Sequence, residues 1–92
     1  MGRLEKRIFA LNDRLAALAQ EEKLVLEELV MRRHLNDDAQ RDAVVGDAED
    51  RALAYETQKD VDRFERLMRG IDAERRRLVD KRDKLMQKLG TL

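Results

Sequence analysis

At 92 residues the chain has room for one small domain. Lys plus Arg and Asp plus Glu each number 20, so the formal net charge is zero. The basic excess of a general nucleic-acid or anionic-membrane binder is therefore missing. With no cysteine, disulfides and thiolate metal sites are excluded, and the apolar runs are too short for a signal-peptide core or a membrane span. The expectation is a soluble cytoplasmic protein.

Proline is absent, aromatics make up 3%, and Ala, Leu, Glu, Lys, Arg and Gln dominate. These residues lose little side-chain freedom in a helix, and the mixture is that of coiled coils and long helices. Strands are not expected.

The first predicted helix covers about 2–35. Leu4, Ile8, Leu11, Leu15, Leu18, Glu22, Val25 and Leu29 recur at alternating steps of four and three, which keeps one stripe against a partner helix. Leu24, Leu26, Val30 and Met31 widen the apolar surface toward its C-terminal half. His34, the only histidine, falls near the expected helix end, where a cation suits the dipole. Asp37 and Asp38 beside it make at most a weak metal signal.

An acidic turn is expected over 36–46, because Asn36, Asp37, Asp38 and Gly46 weaken helix and favour turns, although residues 39–45 could still form a short helical turn. Asp47 can cap the next helix, with Asp50 three residues on as the acidic partner of a capping box. Gly46 supplies freedom just before that start.

The second predicted helix covers about 47–89. Its seam reads Ala54, Thr57, Val61, Phe64, Met68, Ile71, Arg75, Leu78, Arg82, Leu85, Leu89, again in steps of three and four. Two seams of similar length predict an antiparallel coiled-coil hairpin. Leu4 then faces Leu89, Ile8 faces Leu85, Leu15 faces Leu78, and Leu29 faces Phe64, all converging on Gly46. Glu22, Arg75 and Arg82 break the apolar rule. Glu22 lies about one turn from Arg75, within reach of a register-fixing ion pair. A two-helix layer buries little surface, so self-association into a four-helix bundle is the simplest way to bury more.

The charges are unevenly placed. Residues 37–50 hold Asp37, Asp38, Asp42, Asp47, Glu49 and Asp50 against Arg41 alone, apart from a neutral remainder. The later part of the second helix is basic, led by Arg75, Arg76, Arg77 and Lys81. Capping needs one or two carboxylates rather than six, so the acidic turn is a candidate partner-binding tip.

At that tip the chain reads Asp47-Ala48-Glu49-Asp50-Arg51-Ala52. This resembles the Asp-x-x-Asp-x-Ala motif at the coiled-coil tip of the DksA/TraR family, which insert a helical hairpin into the secondary channel of bacterial RNA polymerase. The resemblance implies a non-enzymatic transcription regulator whose partner is that polymerase. Asp47, Asp50 and Ala52 would act at the tip, with Asp42, Glu49 and Arg51 around them. The family's zinc finger has no counterpart here, since cysteine is absent. Residues 64–78 look only broadly like the family's second arm.

Other function classes find less in the residues. Small helical chorismate mutases share the length, but their third helix is not evident. With no Cys, only Thr57 and Thr91 among Ser and Thr, and one His, no nucleophile–base pair assembles, so neither catalysis nor a cofactor is expected. Arg75-Arg76-Arg77 could touch phosphate, but Phe9, Tyr55 and Phe64 lie on or near the packing face, so direct sequence-specific nucleic-acid binding is not expected. The alternative function is a homodimeric coiled coil or adaptor unrelated to transcription, in which apolar residues such as Met31 and Leu67 carry the binding.

Overall fold

The computed structural model describes residues 2–91. Two helices make up nearly all of them, α1 over Arg3–Val45 and α2 over Ala48–Gly90, joined by Gly46 and Asp47. They pack against each other in antiparallel sense, and the described residues hold no strand. The all-α two-helix hairpin expected from the two seams is the fold.

Burial follows the steps of four and three. Ile8, Leu18, Leu29 and Ala39 of α1 and Ala54, Val61 and Leu85 of α2 are buried. The seam residues between them are half-buried, except that Arg75 is exposed. Each large aliphatic so covered contributes about 1.5–3 kcal/mol at full burial.

Two compact units divide the chain. The terminal unit comprises Met1–Glu22 and Gly70–Leu92, and the turn unit comprises Lys23–Arg69. In the terminal unit, Arg14 Nε and Nη2 donate to the two carboxylate oxygens of Glu74 at 3.0 Å each. Arg75 donates to Glu22 at 2.6 Å, the ion pair expected from the seam, and Arg82 reaches Asn12 at 3.4 Å. Exposed pairs of this kind are screened by solvent, so they set register more than stability.

In the turn unit the register is held by a polar layer. Asn36, 8% exposed, donates through Nδ2 to Gln58 Oε1 at 2.9 Å. Its Oδ1 accepts from Thr57 Oγ1 at 2.9 Å and from Gln40 Nε2 at 3.0 Å. Gln40 Nε2 also donates to the Ala54 carbonyl at 2.9 Å. A buried amide with its bonds satisfied is tolerated, and one displaced along the seam is not.

This layer corrects the expected turn over 36–46. α1 continues through that stretch to Val45, leaving a connection of only two residues. The steps of four and three simply go on through Arg32, Asn36, Ala39 and Ala43, each buried or half-buried. Tertiary hydrogen bonds to Asn36 outweigh its weak helix propensity, and exposed Asp38 finds Arg41 one turn on. His34 consequently sits about three turns before the helix end, beyond reach of the dipole.

Gly46 plays a different part from the one expected. No described residue has a positive φ. Space demands the glycine: a Cβ there would lie 2.6 Å from the Asp42 carbonyl oxygen and collide with the Asp50 carboxylate.

Candidate interaction surface

The turn is built around a reciprocal cap. The Asp50 amide donates to Asp47 Oδ1 at 3.1 Å, and the Asp47 amide donates to Asp50 Oδ2 at 3.1 Å. This is the capping box read from the sequence, with Asp rather than Glu closing it. Arg51 Nη1 donates to the Gly46 carbonyl at 3.2 Å, covering an acceptor at the end of α1. Glu49 and Asp50 lie in the first turn of α2, where the helix dipole favours them, whereas Asp42 lies in the last turn of α1, where it does not.

Asp47, Asp50 and Arg51 therefore have structural employment, and the spacing of the two aspartates follows from it. Asp42, Glu49 and Ala52 are exposed, and neither carboxylate has an ion-pair partner among the described residues. Beside them, Val44 and Val45 are 82% and 90% exposed. Sequence reasoning did not single out these two valines, because it placed them in the connection, with no more than a short helical turn over 39–45.

The basic residues of α2 are partly spent. Arg75 pairs with Glu22 and Asp72, and Arg76 Nε lies 3.0 Å from Asp72 Oδ2. Arg77 and Lys81 are exposed without an ion-pair partner among the described residues. Arg14 is held above its ordinary pKa by hydrogen bonds to Glu74 and Glu21. Glu74 is correspondingly held below its own, chiefly by the bond from Arg14.

The apolar surface is concentrated. Of twelve exposed large apolar residues among those described, ten belong to the turn unit. They include Leu24, Met31 and Leu35 of α1 and Leu53 and Leu67 of α2. Leu35 and Leu53 each immediately precede a buried seam residue, Asn36 and Ala54. In an antiparallel pair such positions lie on one flank, and Met31 and Leu24 sit beside them one and three turns back along α1. A second apolar area, a shallow cleft of about 440 Å³, is lined by Ala43, Val44, Ala54 and Tyr55 with Gln40 and Arg51. Lys59 Nζ stacks 5.1 Å from the Tyr55 ring centroid.

The sequence named Leu24, Met31 and Leu67 but missed Leu35 and Leu53, and Phe9 and Tyr55, expected on or near the packing face, are instead 51% and 65% exposed. For the two leucines the signal was present: an apolar residue one place before a seam position marks the flank. Arg32 was missed as a seam residue too. It bonds Glu28 at 2.9 Å and Asp60 at 3.4 Å and lies 5.6 Å from the Phe64 ring centroid, shielding it from the surface.

No three His, Asp or Glu side chains gather closely enough to hold a metal ion among the described residues. No helix among them is long and apolar enough to cross a membrane. No family model matches the chain, and no curated protein or solved structure matches it. The resemblance to the DksA/TraR family thus rests on the residues of the turn.

Proposed function

We propose that this chain is a non-catalytic protein-binding hairpin that docks through the leucine flank of its turn unit. The observation that carries this reading is that, among the described residues, ten of the twelve exposed large apolar side chains belong to the turn unit, with Leu24, Met31, Leu35, Leu53 and Leu67 on that flank. Monomers seldom leave contiguous apolar surface of more than a few hundred Å² uncovered unless something binds it. The seam needs none of these leucines, since its own residues are already covered. Replacing Leu35 and Leu53 together by Glu tests the reading. Helix content should hold, while chemical cross-links to other protein chains in expressing cells disappear. Cross-links that persist undiminished in the folded variant contradict it.

A second reading keeps bacterial RNA polymerase as the partner and the turn as the inserted end. Val44 and Val45, almost fully exposed beside the unpaired carboxylates of Asp42 and Glu49, favour it. β-branched apolar residues so exposed at a helix end are poorly explained by folding. Pull-down with purified bacterial RNA polymerase decides, comparing wild type with Asp47→Asn and Asp50→Asn. Polymerase binding with altered transcription in the variants supports this reading, and no binding by the wild type ends it.

A further inference from the structure

We propose that a second copy of this chain occupies the leucine flank, the turn unit of one copy seating on the terminal unit of the other. This rests on the reading of that flank as a docking surface and names its occupant.

Charge selects the pairing. The turn unit holds nine Lys and Arg against twelve Asp and Glu, and the terminal unit holds the remaining eleven against eight. The two units thus carry charges of minus three and plus three. Like units brought together would repel, and unlike units attract.

The terminal unit also offers a place for an apolar side chain. Ala10, Leu11 and Leu78 floor a groove of about 260 Å³ whose rim is Arg7, Arg14 and Lys81. Arg14 is already bound to Glu74 and Glu21, but Arg7 and Lys81 have no ion-pair partner among the described residues. On the turn unit, Asp42 occupies the heptad position of Leu35 one repeat later, and Glu56 follows Leu53 by one turn. Neither acid has an ion-pair partner among the described residues. Leucines flanked by free acids on one unit answer a groove rimmed by free bases on the other.

A two-helix layer leaves much of its surface uncovered. Accessible surface is 6887 Å² for a 10.8 kDa chain. A monomeric protein of that mass exposes about 5,500 Å². That surplus of about 1,300 Å² follows from having only two layers of helix, and it leaves room for the roughly 800 Å² per partner of a standard-size interface.

The absence of cysteine makes a direct test simple. Leu53→Cys and Ala10→Cys are prepared separately, then mixed and oxidised, alongside sedimentation equilibrium of the unmodified chain. The expected results are a species of twice 10.8 kDa and a mixed disulfide far more abundant than either self-linked product. Arg7→Glu with Lys81→Glu should weaken dimerisation at least about tenfold, and Asp42→Lys with Glu56→Lys on the other copy should restore it. A chain monomeric at every concentration, or one that links mainly through Leu53→Cys to itself, overturns the proposal. If it is monomeric yet Leu35→Glu with Leu53→Glu still strips cross-links in cells, a different protein covers the flank. Only the self-pairing then falls.

Discussion

Thr57 and Asn36 face each other across the helix pair, with the threonine hydroxyl donating to the buried amide oxygen at 2.9 Å. Gln58 and Gln40 complete the amide's bonds. Asn36→Ala leaves those partners short of a bond and should cost about 1–3 kcal/mol in urea denaturation. Asn36→Leu should cost less, because apolar packing replaces the whole layer, and should loosen register, read as broadened amide NMR signals around Thr57.

The two mid-chain glycines should respond in opposite directions. Gly70 lies within α2 with nothing near a would-be Cβ, so Gly70→Ala should stabilise by about 0.5–1 kcal/mol. Gly46→Ala should destabilise, since the Asp42 carbonyl and the Asp50 carboxylate fill the space. Thermal melts of the two variants beside wild type check the sign of each.

Asp47 and Asp50 separate folding from binding. Asp47→Ala removes a cap acceptor and should cost about 0.5–2 kcal/mol, whereas Asp47→Asn should be nearly silent in stability, because Asn caps as well as Asp. A loss of partner binding in Asp47→Asn is then attributable to charge alone. Denaturation midpoints of both variants supply the comparison.

The Arg14–Glu74 pair predicts a small acid sensitivity. Glu74 titrates below its ordinary value in the folded chain, chiefly through the hydrogen bond from Arg14. Its contribution is therefore present above the unfolded carboxyl pKa of about 4.3 and is lost as pH falls through the lower folded value. NMR titration should place the Glu74 midpoint below that of a free glutamate, and Arg14→Ala should return it.

The fold was largely legible in the sequence, because steps of four and three through Leu4 to Leu29 and Ala54 to Leu89 leave one packing solution. The Glu22–Arg75 pair followed from the same register, and the Asp47–Asp50 cap from the spacing of the two aspartates. The end of α1 did not. Asn36-Asp37-Asp38 carries turn composition, and only continued counting through Arg32, Asn36, Ala39 and Ala43 reveals the seam beneath it. The leucine flank was half-legible: Met31 and Leu67 stood out as surplus apolar residues. Leu35 and Leu53 were less legible, because turn composition begins right after Leu35 and both leucines lie one place outside the seam.

The most direct measurement of the central claim places a photo-crosslinking residue at Leu53 of the turn unit and, in a second chain, at Phe9 of the terminal unit, which is also half exposed. Irradiation in cells should yield discrete protein adducts from position 53, abolished when Leu35→Glu is added. Adducts indifferent to Leu35→Glu, or none from position 53 while position 9 gives them, would contradict docking through the leucine flank.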